Sequence, residues 1–357
     1  MVEKTRILFV ADLNVYSKGQ ARLRALKCMN FDISALNHTP IGGEDAGHPP
    51  TSLTFKIGWK LGFQIDSENV NALLADRVRN FNPHIVWIEK GNMVKASTLA
   101  LIKRERPAII IAAYSEDDMF NRANRTHAFT AGLPYYDVVF TTKSYNMRSD
   151  ELPALGARRC ITVDKAFDPN HHMPIEITDA ERLAYGADVG FIGTYAPERG
   201  RDLLYIAQQG FNVRVWGNGW ASLNKIHPKL RVERRALVNT DVDLCYTKAI
   251  QATKINLGFL RKMNRDLQTD RSIEIPACGG FMLAEYSDEH ARLFEEGFEA
   301  IYYRDKTELP KLLKYFLEHP LERKAIAQAG RSRCIDDGYS HANRLKFMLE
   351  AALGTPI

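Results

Sequence analysis

The chain has 357 residues, 45% hydrophobic and 25% charged, with a formal net charge of +5. That length exceeds what one hydrophobic core organises, and the composition excludes a disordered polypeptide. The charge is too small and too scattered to argue nucleic-acid binding, which leaves anionic small ligands or a membrane surface as partners to consider.

The chain opens on MVEKTRILFVADLN, whose short apolar run reads as a first strand and not as a signal peptide. No stretch reaches the roughly 18 apolar residues that a membrane-spanning helix requires, so a soluble cytoplasmic protein, or one peripheral at the inner membrane face, is expected. Short apolar runs then alternate with amphipathic stretches. RILFVA (6–11) precedes the helical pattern GQARLRALKCM, and HIVWIEKG (84–91) precedes MVKASTLALIKRERP; AIIIAAYS (108–115), DVVFTTK (137–143) and CITVD (160–164) follow. The rhythm restarts at DVGFIGTY (188–195) and continues through FNVRVWG (211–217), KINLGF (254–259), GFMLAE (280–285) and AIYYRD (300–305). Continuous hydrophobicity implies strands buried on both faces, and strand–helix alternation implies parallel sheets.

The expected fold class is therefore α/β: two doubly wound Rossmann-like domains facing a cleft. We place an N-terminal Rossmann-like domain at 1–170, a second at 171–335, and a C-terminal helical segment at 336–357 that packs back on the first domain. AFDPNHHMPIEITDAERLAYG, without periodicity, reads as the linker. Ligands of such sheets bind beyond the carboxyl ends of the strands. The five cysteines (Cys28, Cys160, Cys245, Cys278, Cys334) lie far apart without a CxxC pair, which fits free thiols in a reducing compartment.

In FIGTYAPERGRDLLYIAQQG (191–210) a strand runs through Gly193 and Thr194 into a helix. A helix start offers free N–H groups and a positive dipole end to an anion, and Arg199 and Arg201 can add two-pronged phosphate contacts. The alternative is a capped surface helix with exposed arginines. WGNGW (216–220) supplies only a G-x-G, so a nicotinamide-type site is poorly supported. Gly217 there, and Asn256 in KINLGF, join the expected donor-binding positions.

FLRKMNRDLQTDRSIEIPACGGFMLAE (259–285) sets Arg261, Lys262, Arg265 and Arg271 beside Asp266 and Glu274. A carboxylate inside the apolar SIEIPA run is costly unless paired. A basic loop suits a diphosphate, and an acid suits ribose hydroxyls, which donate to carboxylates. The alternative is a solvated loop with a salt-bridged Glu274. Pro276 is expected in the helix's first turn, where its missing N–H costs little.

On the N-terminal side, Lys90 in IEKG and Asp117 and Asp118 in YSEDDMFN follow strands. The two acids suit an acceptor-side base or sugar-hydroxyl ligands, or else they cap the next helix. The two histidines of DPNHHMP lack a third ligand at metal spacing and read as hinge residues; DVD (241–243) is placed outside the donor pocket. No metal and no cofactor is expected. LTFKIGWKLGFQ (53–64) interleaves apolar residues with Lys56 and Lys60, which reads as a core helix with solvated lysines or as a dock for an anionic membrane.

KINLGF followed by DRSIEIPACGG…GFEAIYYRDKTEL…RKAIAQAGRSR resembles the CgeB-like branch of the group 1 glycosyltransferases, covering about residues 185–345, with a looser likeness through FNPHIVWIEKG, YSEDDM and YYDVVFTTKSYN. The resemblance implies the GT-B fold, a nucleotide-sugar such as a UDP-sugar held by the C-terminal domain, and a retaining outcome. Larger relatives carry E-x7-E, whose second Glu contacts the donor ribose. Glu274 matches that second position, and Asp266 stands at the first, where the family pattern has Glu. The donor-phosphate arginine maps onto Arg199, with Arg201 the second choice. Catalytic roles are thus expected of Arg199, Asp266, Glu274 and Asp118, in sugar transfer to a glycan, glycolipid, protein or modified-DNA acceptor during polysaccharide or glycoconjugate synthesis. A nucleotide-sugar epimerase and a non-catalytic nucleotide-sugar-binding protein are the alternatives on the same fold.

Overall fold

The computed structural model describes residues 4–40, 52–233 and 236–356; the first three residues of the opening segment lie outside them. The chain forms two compact units, Met1–Asp164 with His341–Ile357, and Lys165–Ser340.

In the first unit the order is β1 (Arg6–Ala11), α1 (Lys18–Lys27), β2 (Asp32–Asn37), α2 (Leu53–Lys60), α3 (Val70–Phe81), β3 (Ile85–Glu89), α4 (Ala96–Glu105), β4 (Ile110–Ser115), α5 (His127–Gly132), β5 (Val138–Thr141) and β6 (Cys160–Thr162). The strands form one parallel sheet in the order β2-β1-β3-β4-β5-β6. Alternate side chains of each strand feed two cores. Leu8, Val10, Val86, Ile88 and Ile111 pack with α3 and α4. Ile7, Phe9, Ile85, Trp87 and Phe140 pack with Leu23 and Leu26 of α1 and with Leu345, Met348 and Leu349 of the C-terminal helix. This double burial is why the strands read as continuous apolar runs.

The second unit runs α6 (Asp179–Tyr185), β7 (Ala187–Ile192), α7 (Pro197–Gln208), β8 (Val213–Trp216), β9 (Leu230–Val232), α8 (Cys245–Ala252), β10 (Thr253–Gly258), α9 (Asp270–Ala277), β11 (Met282–Glu285), α10 (Asp288–Leu293), β12 (Ile301–Tyr303), α11 (Leu309–Glu318) and α12 (Pro320–Asp336); α13 (His341–Leu353) returns to the first unit. The parallel sheet order is β12-β11-β10-β7-β8-β9. Read from the β9 edge this is the 3-2-1-4-5-6 order of a dinucleotide-binding sheet, with its topological switch between β7 and β10. Each unit is thus a doubly wound, Rossmann-like domain.

Four local expectations change. The sequence reading omits β2 and β9, both edge strands whose segments, DISALN and LRV, carry no continuous apolar run. The linker stretch is packed structure: Asp168, His171 and His172 are buried, and the His171 carbonyl accepts from Asn239 Nδ2 at 2.7 Å and Thr247 Oγ1 at 2.6 Å. Pro276 lies in the last turn of α9, because Thr269 and Ser272 form a capping box that starts the helix at Asp270. Finally, α2 is not a core helix. None of its described residues is buried, and Leu53, Ile57, Leu61 and Phe63 stand exposed.

Candidate functional site

The switch point of the second sheet is built by the loop after β7 and the segment after β10. α7 begins with Pro197, and its N-cap is Ala196, which has no side chain to occupy the first-turn N–H groups. Those donors are left for water or a ligand. The loop ahead of them is clamped to the loop after β8. Gly193 N–H donates to the Trp216 carbonyl, Tyr195 N–H to that of Asn218, and Trp220 Nε1 to that of Gly193, all at 2.8 Å. Gly217 makes this approach possible: its φ is +139°, and a Cβ there would lie 2.1 Å from the Gly193 oxygen, so no other residue fits. A hollow of about 280 Å³ opens beside the clamp, lined by Gly217, Asn218, Trp220, Asn224 and Val232 among others.

Arg199, in the first turn of α7, is 4% exposed. Its Nη1 donates to the Thr194 carbonyl at 3.0 Å, and its guanidinium carbon lies 5.4 Å from the centre of the Phe191 ring. Arg271, near the start of α9, lies 5.1 Å from the same ring. Among the described residues neither arginine forms an ion pair, and the Nε of each is buried without a hydrogen-bond partner. Burial, with Arg271 alongside, pushes the Arg199 guanidinium down to about 10; it stays charged at neutral pH. Arg199 is buried and Arg271 half-buried; two guanidinium groups so placed repel one another, a cost that an anion between them offsets.

Glu274 is 3% exposed. It accepts from the Tyr246 hydroxyl at 2.7 Å and lies 3.6 Å from His172 Nε2, so the carboxylate in the apolar run has partners inside its own unit. Burial, then the Glu274 charge, raises the Tyr246 phenol well above its ordinary range and keeps it a donor. Asp266 accepts from Asn264 Nδ2 at 2.8 Å, and its charge acts on Arg199. Below α9, Ser272 Oγ sits 2.6 Å from His290 Nε2.

The structure therefore brings together Gly193, Thr194, Arg199, Gly217 and Arg271, with the charge of Asp266 acting on Arg199. Arg201 is exposed beside them. Asn256 is not with them: it lies inside β10, buried, and its amide donates to the Ile250 carbonyl at 3.1 Å. Sequence reasoning missed Phe191, which looks like any strand residue, and Tyr246, which is remote from Glu274 in sequence; His172, read there as a hinge residue, lies beside Glu274.

In the first unit Lys90 has φ +61° and pairs with Asp117 at 2.8 Å. Asp118 is not an available base. It is 0% exposed and accepts from Phe120 N–H at 3.2 Å and Asn146 Nδ2 at 3.0 Å, so it organises the turn after β4. Also missed was Arg22 of α1, buried, which meets Glu89 at 2.5 and 2.8 Å and Glu116 at 3.0 Å. It ties together the ends of β3 and β4. Among the described residues no group of three or more His, Cys, Asp or Glu side chains could hold a metal ion, and no helix is long and apolar enough to cross a membrane.

Residues 199–350 match the family described as "Glycosyl transferase-like". No curated protein matches the sequence. Solved structures match over nearly the whole chain at low identity. Sucrose-phosphate synthase from Thermosynechococcus elongatus superposes with a TM-score of 0.65 at 11% identity, covering 98% of this chain and 100% of that one. HepE from Anabaena, in complex with UDP and glucose, gives 0.61 at 11%, with the same coverage. A putative UDP-N-acetylglucosamine 2-epimerase from Listeria monocytogenes gives 0.55 at 12%, covering 99% of this chain and 97% of that one. The two sheets and these likenesses identify the fold as two Rossmann-like domains of the GT-B type.

Proposed function

We propose that the protein is a glycosyltransferase that moves a sugar from a nucleoside-diphosphate donor, a UDP-sugar first among them, to an acceptor hydroxyl. The observation that carries this reading is the buried Arg199 and the half-buried Arg271, together on Phe191 at the switch point of a dinucleotide-binding sheet. The match to the glycosyl transferase-like family over 199–350 and the UDP bound by HepE support it.

On this reading the diphosphate lies between Arg199, Arg271 and the free N–H groups of α7, with the nucleoside towards the hollow beside Gly217 and the ribose hydroxyls donating to Glu274. As the glycosidic bond to phosphate breaks, negative charge grows on the departing oxygen. Cations and N–H donors already oriented there stabilise it more in the transition state than in the ground state. Two guanidinium groups supply the positive charge, so the transfer is proposed to need no divalent metal. Asp117, paired with Lys90, is the acceptor-side acid in place of the buried Asp118. A retaining outcome, a role in polysaccharide or glycoconjugate synthesis, a cytoplasmic setting and peripheral membrane contact through the exposed apolar face of 53–64 complete the proposal.

An epimerase is the second reading, favoured by the Listeria likeness. Calorimetric titration with UDP, GDP, dTDP and CMP tests the donor site; no binding by any of them rejects it. Incubating UDP-sugars with and without candidate acceptors separates the two readings. A transferase releases UDP in step with acceptor glycosylation, whereas an epimerase converts the donor without any acceptor.

A further inference from the structure

The second unit has another cavity, at the opposite end of its sheet. It measures about 650 Å³ and lies where β7, β10 and β11 begin. Six residues of β7 separate that edge from Gly193, roughly 20 Å at the rise of a strand. Its volume falls in the range of small-molecule sites.

The lining joins two chemistries. Phe281 and Ala327 are buried and Ala252 is half-buried, while Leu183 at the rim is 84% exposed. Four cations, Arg182, Lys254, Arg323 and Lys324, face one acid, Asp188. Asp188 is already engaged, by Lys254 at 2.7 Å and Asn212 at 2.9 Å. Arg323 has a structural task, donating to the Phe316 carbonyl at the end of α11, yet forms no ion pair. Arg182 and Lys324, both exposed, make no side-chain hydrogen bond or ion pair among the described residues. Helix-end complementarity explains Arg323 and the ion pair with Asp188 explains Lys254; neither explains Arg182 and Lys324 beside the same apolar floor.

We propose that this cavity binds an amphiphilic anion, a phosphate monoester or diester carrying an alkyl or acyl group. The phosphate meets Arg182, Arg323 and Lys324, and the chain lies on Phe281, Ala252 and Leu183. The site stands apart from the donor site, and the proposal does not depend on the glycosyl-transfer reading.

The test uses the full chain with UDP present at 1 mM, so that the phosphate-binding loop is occupied. Hexyl phosphate is titrated calorimetrically, with inorganic phosphate and 1-hexanol as controls. Binding of hexyl phosphate at least tenfold tighter than either control, weakened at least tenfold in Arg323→Ala/Lys324→Ala and unchanged in Arg199→Ala, supports the site. Cosedimentation with phosphatidylglycerol vesicles but not phosphatidylcholine vesicles, lost in the same double variant, assigns the phosphate to a lipid headgroup. Hexyl phosphate binding without cosedimentation assigns it to a soluble ester. No binding of either probe, binding unaffected by the double variant, or binding abolished by Arg199→Ala overturns the proposal. If UDP itself does not bind, only the donor reading fails, because the double variant still reports on the cavity.

Discussion

Arg199 and Arg271 share one aromatic ring, at 5.4 and 5.1 Å from the centre of Phe191, and neither meets a carboxylate. Like charges are gathered in a largely buried place only where something else gains from it.

Arg199→Ala and Arg271→Ala are each expected to weaken UDP binding by about 1.5–3 kcal/mol, the worth of a hydrogen bond to a charged group. Arg199→Ala should depress kcat more than it raises the donor KM, and Arg199→Lys should rescue only in part, since an ammonium lacks the planar fork. Arg201, exposed, should cost less than about 0.5 kcal/mol. Steady-state kinetics and calorimetry on these variants decide it; a sensitive Arg201 beside a silent Arg199 moves the phosphate to the outer face of α7.

Glu274→Gln should lower UDP affinity by about 1.5–3 kcal/mol if the carboxylate accepts ribose hydroxyls, while Tyr246→Phe, which removes only its internal donor, should leave kcat within a few-fold. The comparison separates a ligand from a structural acid. Unchanged nucleotide affinity in Glu274→Gln leaves the bond with Tyr246 as its whole purpose.

Asp118→Ala should act on stability and not on chemistry. Removing the carboxylate strands the Phe120 N–H and leaves Asn146 Nδ2 only its bond to Glu151 at 3.1 Å, a loss of about 1–3 kcal/mol. Urea unfolding measures the loss, and turnover per folded molecule should be preserved. Asp117→Asn should instead reduce turnover with acceptor present. A reversed pattern returns the base role to Asp118.

Turnover should survive excess EDTA, because guanidinium groups and backbone N–H donors face the proposed leaving diphosphate. Complete loss in EDTA, restored by manganese or magnesium, would reject that account.

His290 is buried beside Ser272, and burial pushes its imidazole down to about 4 from an ordinary 6.5. The unfolded chain therefore takes up a proton on this residue between pH 6.5 and 4 while the folded chain does not. The stabilising effect is fully present above pH 6.5 and declines as the pH falls towards 4, by on the order of 3 kcal/mol. In His290→Leu the loss of stability between pH 7 and 5 should be visibly shallower. An identical pH slope in both proteins would mean that the imidazole is free to protonate in the fold.

Much of this molecule was legible in one dimension. Buried parallel strands need apolar side chains on both faces, so RILFVA, IVWIE, VVFT and MLAE announced themselves, and strand–helix alternation followed from the connections that parallel strands require. The segment VGFIGTYAPERG showed a strand leading into a helix start, hence an anion site, because Pro and Gly act locally on the backbone. Edge strands were not legible: DISALN needs burial from one neighbour only and carries a weaker pattern.

Side-chain partnership was decided by tertiary structure, because hydrogen bonds and ion pairs join residues without regard to their separation in the chain. Adjacent Asp117 and Asp118 look alike in sequence, yet one pairs with Lys90 at the surface and the other is sealed beneath Asn146. Glu274 finds Tyr246, and Arg22 finds Glu89, across spans that no local pattern records. Apolar α2 looked buried until the fold left its leucine and isoleucine faces uncovered. Backbone chemistry is local and can be read from neighbours; burial and pairing belong to the folded surface, and only the packing of distant elements sets them.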